Sequence, residues 1–208
     1  MIIAVDGPMA SGKGTISRAL SARFNIPYLD TGSLYRATGL ALINAGIDVG
    51  DEDACARLAR TLDVGAINEQ NIRTADVGAM ASRIAVLPKV RDALFDVQRA
   101  FATQPGGAVL DGRDIGTVIC PDADVKIYVI ADAETRAQRR WQELLSAGHA
   151  ITLDEMRSQT RERDLRDAAR ADAPMRAADD ATLLDTSSLS IGAAIEEAVR
   201  LVENRCKA

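Results

Sequence analysis

The chain has 208 residues, 47% of them hydrophobic and 26% charged, and a formal net charge of −5 at pH 7. That length and balance fit one folded domain with a sizeable core, and the acidic balance excludes a bulk attraction to nucleic acid or to anionic lipid. Cys55, Cys120 and Cys206 are an odd, scattered set without C-x-x-C spacing, which argues against a disulfide framework or a zinc site and fits a reducing cytoplasm.

Ile2 to Val5 reads as a buried parallel strand. The run is too short for the core of a signal peptide and meets Asp6 at once. No later stretch approaches the length of a membrane span. Lys13 to Phe24 has helical spacing, and Pro27-Tyr28-Leu29 reads as a short strand. Ser33 is placed to cap the next helix, which Gly46 closes. Asp51 opens a helix running to about Leu62, and 64–74 is polar and ambiguous. Helical spacing returns over 75–85 and 88–101, with Pro88 suited to a first turn. Ala108-Val109-Leu110, ending on Asp111, and Val125 to Ile130 read as core strands. Asp132 caps a helix carrying Arg136, Arg139, Arg140 and Trp141, and Gly148 ends it. Thr152-Leu153-Asp154-Glu155 is a capping box opening a charged helix to about Ala171. Thr182 to Asp185 is a last strand, and Ile191, Ile195, Ala198, Val199 and Val202 form the buried stripe of a last helix. Strands alternating with helices predict an α/β fold: three layers, with a parallel sheet wrapped by helices on both faces. Ligands collect at the carboxyl ends of strands in such sheets.

The most informative stretch is Gly7-Pro8-Met9-Ala10-Ser11-Gly12-Lys13-Gly14-Thr15, set between a strand and a helix. Its glycines permit a tight turn that exposes backbone N–H groups. With the helix N-terminus behind them, those groups form a positive concavity for polyphosphate. Lys13 adds a point charge for the β- and γ-phosphates of ATP. The hydroxyl that commonly follows the lysine and helps hold Mg²⁺ stands one position late, at Thr15. Asp111 is either a second Mg²⁺ carboxylate at a strand tip or a turn aspartate before Gly112.

Asp111-Gly112-Arg113-Asp114 puts an arginine that can clamp a phosphate beside a carboxylate that can accept from an exocyclic amine. The plain alternative is a salt bridge within the loop. Asp30-Thr31-Gly32-Ser33-Leu34-Tyr35-Arg36 suits an anionic acceptor, or is a helix cap followed by a solvated arginine. Arg163, Arg166 and Arg170 share a helical face, which Asp167 joins. That face is either solvated or part of a lid that spreads positive charge around a moving phosphoryl group and excludes water.

Together, Val5-Asp6-Gly7-Pro8, Ser11-Gly12-Lys13-Gly14-Thr15, Leu29-Asp30-Thr31-Gly32, Tyr35-Arg36, Asp111 to Val118, Pro121-Asp122-Ala123, Glu162-Arg163-Asp164 and Leu189-Ser190-Ile191 resemble the bacterial cytidylate kinases. These are nucleoside monophosphate kinases of the phosphate-loop class, and the resemblance covers nearly the whole chain. It implies transfer of the γ-phosphoryl group of ATP to CMP or dCMP with Mg²⁺. Lys13, Arg113, Arg163 and Arg170 would serve catalysis, with Thr15 and Asp111 as candidate Mg²⁺ ligands. It implies that Ser82, Arg91 and Asp114 meet the cytosine ring and that Arg36, Arg113 and Arg170 hold the acceptor phosphate. Thr31, Arg163 and Asp167 would lie near that phosphate or its ribose. It further implies a core (1–30, 106–147 and 181–208), an acceptor-binding lobe (31–105) and a lid (148–180), in a cytoplasmic monomer with small nucleotides as its partners. The chain departs from the family between Leu62-Asp63-Val64 and Ile72-Arg73-Thr74, where a longer strand-rich insertion is common. A kinase of another small acceptor (another nucleotide, a sugar acid or shikimate) and a nucleotide-dependent switch are the rival readings.

Overall fold

A computed structural model describes residues 1–169 and 173–205. Its frame is a five-stranded parallel sheet in the order β2-β3-β1-β4-β5. The strands are β1 (Ile2–Asp6), β2 (Tyr28–Asp30), β3 (Ala108–Gly112), β4 (Val125–Ile130) and β5 (Thr182–Asp185). Alternate residues of one strand point to opposite faces, which is why the central strands read as unbroken apolar runs. Ala4, Leu29 and Leu110 join a core with Leu34, Leu42, Ile84 and Leu94. Ile3, Val5, Val109, Ile127 and Val129 face the other way, onto Ile16, Leu20 and Ala198.

Helices α1 (Lys13–Phe24) and α8 (Ile191–Arg205) contact each other on that second face. Four helices between β2 and β3 cover the other: α2 (Thr31–Ala45), α3 (Glu52–Arg60), α4 (Ala75–Ile84) and α5 (Pro88–Ala102). They pair as α2 on α4 and α3 on α5. α6 (Ala133–Ser146) and α7 (Leu153–Ala168) form a hairpin whose seam is Ala137, Leu144 and Met156, with Trp141 and Met9 against it. The expected capping box at Thr152 and Glu155 is present.

Two readings are corrected, those of Ser33 and Ile191. α2 begins at Thr31 with Asp30 as its N-cap, because Ser33 is already inside the first turn and its hydroxyl donates to the Asp30 carbonyl. The link 64–74 forms no strand, only a single 3-10 turn (Val64–Ala66) followed by polar turns. Ile191, the first residue of α8, is 71% exposed; Ala194, Ala198 and Val202 carry the buried stripe instead. Beyond β3 the chain enters a π-helical turn (Ile115–Ile119) that apolar spacing alone does not signal. The face of α7 is also narrower than expected. Asp167 is buried and Arg163 half-buried, but Arg166 is exposed, and Arg170 lies outside the described residues.

Leu110 is fully buried whereas Ile191 is open to solvent, and their truncations separate accordingly. Leu110→Ala should lower the unfolding free energy by about 2–5 kcal/mol. Ile191→Ala should stay within about 0.5 kcal/mol. Urea titrations of both variants check this, and equal losses would contradict the packing described.

Candidate active site

The carboxyl ends of β1, β2 and β3 converge on one cleft of about 240 Å³. β1 runs into the phosphate-loop sequence. Gly7 has φ 148°, and a Cβ there would collide with the Val129 carbonyl oxygen, so only glycine permits the loop to cross β4 so closely. Gly12 caps α1 at φ 92°, which opens the loop around the N-terminus of that helix. The Thr186 hydroxyl donates to the Ser11 carbonyl (2.8 Å), and Arg139 donates to the Thr186 carbonyl (2.7 Å), so the chain after β5 braces the loop from behind.

Lys13 projects from the first turn of α1 into the cleft, its Nζ 3.5 Å from the Pro8 carbonyl. Burial, followed by the nearby Arg113 guanidinium, pushes its pKa down to about 8 against the opposing pull of Asp111 and Asp30. Asp30 and Asp111 are register partners on β2 and β3. Burial would raise Asp30, but the Arg36 guanidinium, at 2.6 Å, holds it below the usual carboxylate range. Burial and the Asp30 charge push Asp111 up, although Tyr28 Oη donates to its Oδ2 at 2.7 Å. The Thr31 hydroxyl donates to the Asp111 carbonyl (2.7 Å), fixing the start of α2 against the tip of β3.

The loop after β3 is held by Asp6, the last residue of β1. Its two carboxylate oxygens accept the backbone N–H groups of Ile115 and Gly116, both at 2.8 Å. Burial pushes its pKa up to about 7 even against those hydrogen bonds. The tie places Arg113 and Asp114 over the cleft. Asp114 is buried in an ion pair with Arg91 of α5. Beside them the Ser82 hydroxyl is buried and meets no hydrogen-bond partner within the described residues. Arg113 Nε reaches Asp167 of α7 at 2.9 Å. Arg136, buried on α6, makes a two-pronged bond to Asp164 of α7 (2.9 and 2.6 Å) and lies 3.4 Å from the Met9 carbonyl. Arg163 is different: its Nε is buried without a partner in the described structure, and its Nη1 sits 3.4 Å from Met9 Sδ. Burial, followed by Arg113, lowers its pKa to about 10.

Lys13, Thr31, Arg36, Ser82, Arg91, Arg113, Asp114, Asp111 and Arg163 therefore line one cleft, and Asp167 reaches it through Arg113. Thr15 does not join them. It is exposed and faces a second, largely apolar cleft of about 250 Å³ with Ala10, Ile16, Arg139 and Leu189. The reason is helical geometry: Gly14 faces Asp111, and the next residue is turned about 100° away. The sequence assigns no site role to Asp6, Tyr28, Arg73, Arg136 or Asp164, although Asp6 and Asp164 stand in stretches that carry the family resemblance. Only Asp6 carried a local sign, a carboxylate ending an apolar strand. Among the described residues no cluster of three or more His, Cys, Asp or Glu could hold a metal by itself, and no helix is long and apolar enough to cross a membrane.

Residues 3–204 match the family model described as cytidylate kinase. The chain belongs to the cytidylate kinase family. The cytidylate kinase of Methylocella silvestris is 52% identical over 98% of this chain and 94% of its own length. That of Xanthobacter autotrophicus is 52% identical over 99% of this chain and 98% of its own. A solved structure of an uncharacterized protein from Eubacterium ventriosum covers 98% of both chains at a TM-score of 0.54 and 13% identity, a likeness of fold.

The lowered pKa of Lys13 has a measurable consequence. The folded chain binds fewer protons than the unfolded one between about 8 and the ordinary 10.5, so this group makes stability rise with pH through that window. Lys13→Met, which carries no charge, should be more stable than wild type near neutrality, with the gap closing toward pH 10.5. Urea unfolding of both proteins across that range reads the effect; a gap independent of pH would contradict it.

Proposed function

We propose that the chain transfers the γ-phosphoryl group of ATP to CMP or dCMP, giving ADP and CDP or dCDP. The observation that carries this is one cleft with two unlike ends. At one end stand the phosphate loop and Lys13; at the other, the Arg91–Asp114 pair and the unpartnered Ser82 hydroxyl form a polar slot against the small residues Gly78, Ala81 and Ala85. Asp114 can accept from the exocyclic amine of cytosine, and Ser82 and Arg91 complete the edge. A uracil carbonyl in that place would face a carboxylate, which discriminates by leaving buried polar groups unpaired.

In this reading Gly7 to Thr15 hold the phosphates of ATP and its base lies in the apolar cleft beside Thr15 and Arg139. Arg36 and Arg113 grip the acceptor phosphate, with Thr31 beside it; Arg170, outside the described residues, is assigned to the same phosphate. Arg163 and Asp167 turn toward the phosphate or ribose. An oxygen of the acceptor phosphate attacks the γ-phosphorus in line, the bond to the β-phosphate oxygen breaks, and ADP leaves with that electron pair. A phosphate monoester is already nucleophilic, so the residues supply position and positive charge, and no strong base. In this reading Arg113, held by Asp167, and Arg163, whose Nε has no partner among the described residues, flank the path of the moving group.

Mg²⁺ neutralises β- and γ-phosphate charge when bound. Asp111 fits that duty: it is a buried carboxylate at the tip of β3 that lines the cleft with Lys13 and Asp30. A Mg²⁺ site needs one or two carboxylates besides phosphate and water, so the lack of a larger cluster is no obstacle. Thr15 would contribute to the base pocket rather than to the metal. The same reading includes a core (1–30, 106–147, 181–208), an acceptor lobe (31–105) and a lid (148–180), in a cytoplasmic monomer whose buried Cys55 and Cys120 thiols stay reduced.

ADP release measured across CMP, dCMP, UMP and AMP tests the assignment, with turnover expected for the first two. Lys13→Ala should lower kcat at least ~100-fold. Asp114→Ala should raise the KM for CMP about 10- to 100-fold while moving the KM for ATP less than about twofold. Intact CMP turnover in Asp114→Ala would sink the cytosine assignment, and ATP hydrolysis indifferent to every acceptor would favour a switch.

A further inference from the structure

We propose that Arg73 is a further acceptor-binding residue, the cation by which the short link between α3 and α4 holds the acceptor nucleotide at the mouth of the cleft, with Glu69 fixing its guanidinium and Glu143 of α6 facing it until the nucleotide arrives. The proposal rests on the kinase reading above and adds a residue to it.

One face of α4 forms a wall of the cleft: Thr74, Gly78, Ala81 and Ser82 recur at helical spacing and all line it. Ser82 marks the end nearest Arg91 and Asp114. Arg73 stands at the opposite end, immediately before Thr74, whose hydroxyl caps the helix. At ~1.5 Å per residue the two ends are ~13 Å apart. A nucleotide whose base lies at the Ser82 end extends toward Arg73.

The geometry of Arg73 leaves one edge of its fork available. Nε and Nη2 both donate to Glu69 Oε2, at 3.1 and 2.8 Å, which fixes the plane of the guanidinium. Nη1 is turned away, 4.0 Å from Glu143 Oε1. Glu143 is itself held by Arg140 at 2.8 Å, and it lines both the main cleft and the apolar cleft beside Thr15. Arg73 thus crosses from the link to the junction of the two clefts. The Arg73 and Glu143 side chains are 46% and 53% exposed. An ion pair that long and that wet is weakly held, so an oxygen of an arriving nucleotide can replace Glu143 at Nη1. Glu69 first, and Asp30 more distantly, keep Arg73 charged; Asp30 is also the carboxylate that holds Arg36, so Arg73 shares the field of the acceptor-phosphate side.

Steady-state kinetics of Arg73→Gln and Glu143→Gln, singly and together, test the role. Arg73→Gln should raise the KM for CMP roughly tenfold, the loss expected for one charge-assisted hydrogen bond, with kcat and the KM for ATP within about twofold. Arg73→Lys, which keeps the charge without the fork, should fall between. Glu143→Gln, which weakens the group that the nucleotide displaces, should leave the KM for CMP unchanged or slightly lower. The double variant should be no worse than Arg73→Gln, because Glu143 acts through Arg73. A structural role would instead move kcat and both KM values together. CMP turnover with an unchanged KM in Arg73→Gln, or a double variant worse than Arg73→Gln, overturns the role of Arg73 alone. Absence of CMP turnover in the wild type overturns the kinase reading and this inference with it.

Discussion

Crowded positive charge is the constraint on which the rest of the structure depends. Lys13, Arg36, Arg91, Arg113 and Arg163 all face one cleft, and like charges that close repel in a partly desolvated space. The fold holds them by giving most of them a carboxylate: Asp30 for Arg36, Asp114 for Arg91 and Asp167 for Arg113. Arg136, behind the loop, is held in the same way by Asp164. These pairs fix the guanidinium groups in place around the cleft, where the proposed reaction would have phosphate and base meet them. Lys13 and Arg163 are the least compensated, as their lowered pKa values register. A phosphoryl group passing between them would supply the missing negative charge, and this is the form of electrostatic preorganisation that phosphoryl transfer requires.

The sheet puts these groups within reach of one another. Parallel pairing aligns the carboxyl ends of β1, β2 and β3, so Asp6, Asp30 and Asp111 come from distant parts of the sequence to one rim. Asp6 then does what no side chain on the loop itself could do. By accepting two successive N–H groups after β3, it ties the turn that carries Arg113 and Asp114 to the strand that launches the phosphate loop. Gly116 fits this arrangement because a Cβ there would press on Lys126 and on Asp6. Helix α7 adds two carboxylates across the top, Asp167 to Arg113 and Asp164 to Arg136.

Much of this was legible in the order of residues. The strands and helices follow from alternation and caps, since apolar periodicity and the residues at Asp51, Pro88, Asp132 and Thr152 are local signals. The phosphate loop was legible because its chemistry needs glycine at fixed places. The membership of the cleft came from resemblance, because residues such as Ser82 and Arg91 lie on ordinary helices and nothing nearby marks them. What was not legible depends on contacts between remote segments. No pattern near Asp6 says that two N–H groups more than a hundred residues away will find it. Nor does helical spacing say that Arg163 will be buried while Arg166 is exposed, since that depends on where α6 and Met9 sit against α7.

The account reduces to two nucleotides lying end to end, donor phosphates on the loop and acceptor phosphate among the arginines. An adenosine and a cytidine joined 5′ to 5′ through a polyphosphate chain tests this most directly, by calorimetric affinity and by competition kinetics. The account predicts that the joined compound competes with both ATP and CMP and binds at least about a hundredfold more tightly than either, as expected when two adjoining sites are filled by one molecule. Competition with ATP alone, or an affinity no better than that of ATP, would contradict it.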